Sequence, residues 1–197
     1  MLTVKAHAKV NLTLEVLGKR ADGYHQIVSV MQTIDLSDEL TFATSDRITL
    51  RCDVPSLETD ANLVIRAATL LKERTGYPGG VDIHLKKNIP VASGLGGGSS
   101  DAAATLKALS HLWGLDLGLE ELLPLAASIG SDVPFFLPGG TAIAEGRGEV
   151  IHELPPIPKV HLVLLALPVE MPNKTATMYG RLTAEHFTKG EASLSLR

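Results

Sequence analysis

At 197 residues, 45% hydrophobic and 20% charged, the chain has the composition of a folded globular protein of one domain or slightly more. A formal net charge of −4 excludes the overall basic field that a nucleic-acid partner requires. The single cysteine, Cys52, excludes an intramolecular disulfide, and the absence of a bilayer-length apolar run or signal-peptide core points to a cytoplasmic protein.

From Leu2 to Val16 the even positions are apolar and the odd positions polar, the period of one long strand or of two joined by a bend. Lys9 and Asn11 then share the polar face. Gly18 and the Asp22-Gly23 pair break the pattern into a turn. Strands are expected over 27–36, 38–44 and around 48–54. Residues 62–75 carry a helical stripe, with Thr59 or Asp60 as the cap and Gly76 as the stop. A short strand at 81–85 leads into a glycine-rich loop, and a helix is expected from about Ser99 to Trp113. A further helix covers 119–129, its regular part delayed by Pro124. Hairpin strands follow near 141–144 and 150–154, then a strand at 160–167 and a short helix near 174–182. No repeats or low-complexity linkers interrupt this order, which is that of an α+β protein.

The stretch PVASGLGGGSSDAAA, residues 90–104, concentrates glycine at the mouth of a helix. Glycine admits positive φ and close backbone approach, so such a loop gathers N–H donors where the helix dipole favours an anion. Ser99 and Ser100 add hydroxyl donors, with Ser99 placed to cap. Phosphate is the best-matched ligand, and a side chain introduced at Gly97 is expected to occupy its place. A flexible turn before a capped helix is the plainer alternative. The loop matches neither the Walker P-loop, since no lysine follows its last glycine, nor the dinucleotide G-x-G-x-x-G spacing. Lys87, just before Pro90, is placed to supply positive charge.

The glycine loop resembles that of the GHMP kinase superfamily. Its GLGGGSSD form, with AKVNLTLEVLGKRADGYHQIVSVMQ before it and GSDVPFFLPGGTAIAEGRGE after it, is similar to one branch. That branch phosphorylates the 2-hydroxyl of 4-diphosphocytidyl-2-C-methyl-D-erythritol (CDP-methylerythritol) in the non-mevalonate route to isoprenoid precursors. The resemblance implies an α+β GHMP kinase fold. Its ATP-binding and catalytic domain, at residues 1–155, would be like domain 2 of ribosomal protein S5, with the start of a shortened C-terminal domain at 156–197. Relatives usually continue beyond this endpoint, so weak activity, self-association or a mobile C-terminal segment is expected. His7 stands where proline is more usual.

The resemblance also implies roles for single residues. Asp132 becomes the catalytic base, although an aspartate before Val-Pro is by default a turn residue. Lys9 becomes its partner, an ammonium that holds the carboxylate ionised and orients the acceptor hydroxyl. ATP is expected on Asn62, Lys87, Pro90, Val91, Ala92, Ser93, Gly94, Leu95, Gly96, Gly97, Gly98, Ser99 and Ser100, with Asn62 against adenine. The cytidine end is assigned to Asn11, Tyr24, His25 and Tyr179, with Tyr24 and Tyr179 sandwiching the base and His25 hydrogen-bonding it. Base–aromatic stacking of this kind is worth ~1–3 kcal/mol. Mg2+ is expected to bridge the ATP phosphates, held mostly by phosphate and water. A GHMP kinase for homoserine or mevalonate is an alternative that DGYH and the triple glycine oppose. An RNA-binding remnant is another, opposed by the acidic net charge.

Overall fold

In the computed structural model, which describes residues 1–165 and 174–196, the alternating N-terminus forms one strand, β1 (Leu2–Lys19). After the turn at Gly23 comes β2 (His25–Ser45). β2 is continuous where two strands were expected. The reason lies at Asp38, whose carboxylate accepts the backbone N–H groups of Asn88 and Ile89 at 2.6 and 2.8 Å. Polar residues that suggested a break are satisfied from another segment, and the strand runs through.

By their contacts the residues fall into two units. The first comprises Met1–Lys9 and Thr33–Gly139. It holds the start of β1, the second half of β2, β3 (Ile48–Cys52), α1 (Leu63–Thr75), β4 (Gly80–Lys86), α2 (Gly97–Leu112) and α3 (Leu119–Ile129). β4 pairs antiparallel with β2, from Glu39 opposite Lys86 to Ser45 opposite Gly80. It pairs parallel with β3, from Ile48 opposite Val81 to Cys52 opposite Leu85. Parallel neighbours need a crossover, which α1 supplies. Leu40, Phe42 and Ile83 from the sheet are fully buried, in one cluster with Leu71 of α1, Leu106 and Leu109 of α2, and Leu122 and Leu125 of α3. Each such leucine stabilises the unit by ~1.5–3 kcal/mol. Tyr77 stacks on Trp113 with centroids 4.4 Å apart and closes one end of this core.

Helix boundaries depart from expectation at three starts. α1 is capped by Asn62, not Thr59 or Asp60: Asn62 Oδ1 accepts from Val64 N at 2.9 Å while its Nδ2 donates to the Leu57 carbonyl. That second bond fixes the side chain where it caps. α2 begins at Gly97 and not Ser99, because Gly96 (φ 73°) turns the chain directly into helical geometry with no side-chain cap. α3 is helical from Leu119 despite Pro124. Its start is held instead by Glu121 Oε2, which accepts from Gly118 N at 2.9 Å.

The second unit comprises Val10–Gln32 and Gly140–Arg197. Here the first half of β2 pairs antiparallel with β5 (Thr141–Gly146), from Ile27 opposite Gly146 to Gln32 opposite Thr141. β5 pairs with β6 (Val150–Glu153). Val28, Val30 and Ile143 form a small core under Leu17 and Leu154. Two short helices follow, α4 (Lys174–Tyr179) and α5 (Glu191–Leu194). Glu15 ties α5 to β1 by accepting Ser193 N at 2.7 Å and Thr188 Oγ1 at 2.9 Å.

The strand expected at 160–167 is absent over 160–165, which have no regular structure, and 166 and 167 lie outside the described residues. Val163 is 97% and Leu165 85% exposed. An apolar composition supplies no backbone partners, and no described strand pairs with this stretch.

Candidate active site

All elements of this site belong to the first unit. Between Ile89 and α2 the loop takes positive φ at Ala92 (57°), Gly94 (87°) and Gly96 (73°). Ser93 Oγ, donating to the Pro90 carbonyl at 2.7 Å, stiffens it from within. The first helical bond of α2 is Ser100 N to Gly96 O at 2.8 Å, so the amides of Gly97, Gly98 and Ser99 precede the ladder. These three residues line a cavity of about 480 Å³, as do Asn62 and Leu63. Donor amides that precede the ladder at a helix N-terminus are suited to an anion.

Of the thirteen expected ATP contacts, Asn62, Lys87, Pro90–Gly94 and Gly96–Ser99 line this cavity, whereas Leu95 and Ser100 do not. The Leu95 carbonyl accepts Lys9 N at 2.9 Å. Ser100 is buried, and its hydroxyl donates to the His7 carbonyl at 2.7 Å, tying α2 to β1 instead of facing a ligand.

The glycines are not equivalent. A Cβ on Gly97 would lie 3.0 Å from Ile89 Cγ2 and 3.2 Å from Lys87 Nζ, so it would point into packed protein and not into the phosphate's place as expected. A Cβ on Gly98 would meet only Leu63 Cδ1, at 3.8 Å. Gly98 is the position whose side chain would enter the cavity.

Lys87 lines the cavity, but its charge is already engaged. Its Nζ is ion-paired with Asp38 Oδ2 and, at 2.8 Å, with Asp101 Oδ2, and the side chain is only 6% exposed. Burial works against its charge, yet Asp101 and Asp38 together hold its pKa above the usual lysine value. Burial pushes Asp101 up to about 7; Lys87 pulls it down and Asp38 adds to the rise. Sequence reasoning missed both carboxylates. Asp101 stood in view within GLGGGSSD, but nothing local linked Asp38 to a lysine so distant in the chain.

Lys9 and Asp132 come together as expected, with Nζ 3.5 Å from Oδ2. The Lys9 side chain is 7% exposed and that of Asp132 40%. The alternation predicted a solvated face for Lys9, but the glycine loop covers it: a Cβ on Gly96 would lie 3.1 Å from Lys9 Cγ and 2.6 Å from Phe136 Cζ. Phe136 comes from a 3-10 turn, Pro134–Phe136, that starts two residues after Asp132. A buried ammonium beside a half-exposed carboxylate, next to donor amides, can position a hydroxyl and accept its proton.

In the second unit Asn11 Nδ2 donates to Ser29 Oγ at 2.7 Å. His25 and Tyr179 meet, centroids 5.2 Å apart, and Phe187 lies edge-on to His25 at 6.2 Å. Tyr24, 53% exposed, has the Arg147 guanidinium 4.6 Å from its ring centroid. His25 therefore pairs with Tyr179, and Tyr24 with the Arg147 guanidinium. Arg147 and Phe187 went unrecognised in the sequence because each lies far along the chain from its ring.

Among the described residues no group of three or more His, Cys, Asp or Glu side chains is placed to hold a metal ion. No described helix is long and apolar enough to cross a membrane.

Residues 62–140, which include the glycine loop and Asp132, match the GHMP kinases N terminal domain family. A 4-diphosphocytidyl-2-C-methyl-D-erythritol kinase of Dehalococcoides mccartyi is 46% identical over 98% of this chain and 68% of its own length. A crystal structure of a 4-(cytidine 5'-diphospho)-2C-methyl-D-erythritol kinase superposes with a TM-score of 0.76 at 37% identity, covering 99% of this chain and 71% of that one. A homoserine kinase from Cytophaga hutchinsonii shares the fold alone, with a TM-score of 0.62 at 22% identity over 94% of this chain and 64% of its own. Identity of this order along nearly the whole chain goes beyond a shared fold: the chain belongs to the 4-diphosphocytidyl-2-C-methyl-D-erythritol kinase family of the GHMP kinases.

Proposed function

We propose that this chain transfers the γ-phosphoryl group of ATP to the 2-hydroxyl of 4-diphosphocytidyl-2-C-methyl-D-erythritol, a step of the non-mevalonate route to isoprenoid precursors. The observation that carries this reading is the Lys9–Asp132 pair, 3.5 Å apart and packed against the glycine loop. ATP lies in the cavity with adenine toward Asn62 and its phosphates on the amides of Gly97, Gly98 and Ser99. When bound, Mg2+ would be held by those phosphates and by water and would supply neutralisation of their charge.

Asp132 accepts the proton of the 2-hydroxyl as its oxygen bonds to the γ-phosphorus. The bond from that phosphorus to the bridging oxygen breaks, and ADP departs with the electron pair. Lys9, ion-paired with the Asp132 carboxylate, holds the hydroxyl in line. The amides at the start of α2 are fixed before reaction, so they stabilise the transferring group without reorganising. The cytosine is assigned to Tyr24, His25 and Tyr179, with Asn11 as a further substrate contact. In terms of family domains, residues 1–155 make up the ATP-binding and catalytic domain and 156–197 the start of the next.

A coupled ADP-release assay with CDP-methylerythritol, mevalonate and homoserine tests this. The cytidyl substrate alone should stimulate ADP release. Equal stimulation by another alcohol, or by none, overturns the acceptor assignment.

A further inference from the structure

The Asp38–Lys87–Asp101 cluster adjoins the glycine loop and takes no part in the phosphoryl transfer described above. Its two carboxylates differ. Asp38 is saturated: one oxygen pairs with Lys87 and the other accepts the amides of Asn88 and Ile89. Asp101 gives Oδ2 to Lys87, but its Oδ1 is buried with no hydrogen-bond partner. Asp101 is 2% exposed, stands in the first turns of α2, and lines the cavity with Gly97, Gly98 and Ser99.

With both carboxylates ionised, the cluster carries one negative charge in excess of Lys87. That charge lies beside the cavity's donor amides, where it opposes an anionic ligand. With Asp101 protonated the cluster is neutral and the amides act alone. No other charged side chain lines the cavity among the described residues. From β1, Lys9 approaches the other side of the glycine turn but is paired with Asp132, and the His7 imidazole hydrogen-bonds the Ile34 carbonyl. α1 contributes uncharged Asn62 and Leu63 to the cavity, while α3 packs apolar side chains into the core that α2 shares.

We infer that nucleotide binding in this cavity is coupled to uptake of a proton by Asp101, so that the chain holds phosphates with Asp101 neutral and releases them as Asp101 ionises. This rests on the nucleotide reading of the cavity. Burial places the Asp101 titration at about 7, so the coupling operates near neutral pH. If only the protonated form binds, affinity falls about tenfold from pH 6 to pH 8, and binding takes up ~0.5 proton near pH 7 and ~0.9 near pH 8.

The test is calorimetric titration of MgATP into the 197-residue chain, in two buffers of different ionisation enthalpy, at several pH values. Excess magnesium keeps the γ-phosphate itself from titrating. The observed heats should differ between buffers by the expected proton count. Asp101→Asn, isosteric and permanently neutral, should bind with affinity constant within about twofold from pH 6 to pH 8 and with no uptake. Binding without uptake in the wild-type chain overturns the inference and leaves the nucleotide site standing. Uptake that persists in Asp101→Asn also overturns it and moves the proton to another group. No binding at any pH overturns the nucleotide reading and the inference with it. Should Asp101→Asn fail to fold, the two-buffer comparison on the wild-type chain decides alone.

Discussion

Gly97→Ala and Gly98→Ala change adjacent residues by the same methyl group, and the site geometry predicts opposite consequences. At Gly97 the methyl would lie 3.0 Å from Ile89 Cγ2 and 3.2 Å from Lys87 Nζ. Neither neighbour can yield, since Ile89 is 2% exposed and Lys87 is held between two carboxylates. Overpacking of this kind costs ~1–3 kcal/mol, against a gain of up to ~1 kcal/mol from replacing a helical glycine. The net loss of about 1 kcal/mol should lower Tm by ~2–4 °C in a chain of this size. At Gly98 the methyl meets only Leu63 Cδ1 at 3.8 Å, so the helix gain stands and Tm should stay level or rise. That methyl instead obstructs the approach of phosphate to the α2 amides. Loss of one hydrogen bond to a charged group, ~1.5–3 kcal/mol, weakens ATP ~10–100-fold. Thermal melts and nucleotide titrations on both variants separate the effects. Unchanged ATP affinity in Gly98→Ala would return the loop to a plain connection between β4 and α2.

Asp132→Asn should lower turnover ~10²–10⁴-fold with the fold retained, because Asn is nearly isosteric and its Oδ1 can still face Lys9; near-normal turnover would remove Asp132 from the mechanism. Asn62→Ala loses the cap on Val64 N and the bond to Leu57 O, and should cost ~1 kcal/mol, read as a lower Tm; an unchanged melt would deny the cap its role. Asp101 has a folded-state pKa raised to about 7 from an ordinary value near 3.8. Its contribution to stability is therefore present at low pH and lost as pH rises toward 7. Asp101→Asn should accordingly gain on the wild-type chain in melts at pH 8 relative to melts at pH 5, and a difference that does not vary with pH refutes this. The exposed stretch 160–165 should drive association, so light scattering is expected to show concentration-dependent mass that Val163→Ser with Leu165→Ser abolishes; a parent chain monomeric at all concentrations would dismiss it.

What the sequence made legible was local or carried by motif. The alternation through β1, the α1 stripe with its Gly76 stop and the glycine loop each depend on neighbours a few residues away, and each appears in the structure near its expected bounds. Departures arise where a distant group satisfies a local demand. Residue 37 reads as a gap between two strands, yet β2 runs through beside Asp38, to which Asn88 and Ile89 bring their amides. Ser100 reads as a ligand donor until the His7 carbonyl accepts its hydroxyl. The stretch 160–165 fails in the opposite sense, since its apolar residues promise a buried strand and no described strand offers a partner.

The two lysines beside the glycine turn carry this furthest. As sequence, Lys9 and Lys87 are both cations near a phosphate loop, and charge alone would assign both to the nucleotide. Lys9 Nζ lies 3.5 Å from Asp132 Oδ2, on a side chain 40% exposed. Such a carboxylate can exchange its contact for a substrate hydroxyl at small cost in solvation. Lys87 meets two buried carboxylates, one of them saturated by backbone amides, so freeing its charge would strand ionised groups away from water. On the proposed reading the cation that acts on the reacting group is Lys9, and anion binding falls to the amides of α2. Neutral donors gain nothing from a negative charge beside them, which makes the protonation state of Asp101 the variable that sets how well this loop holds a phosphate.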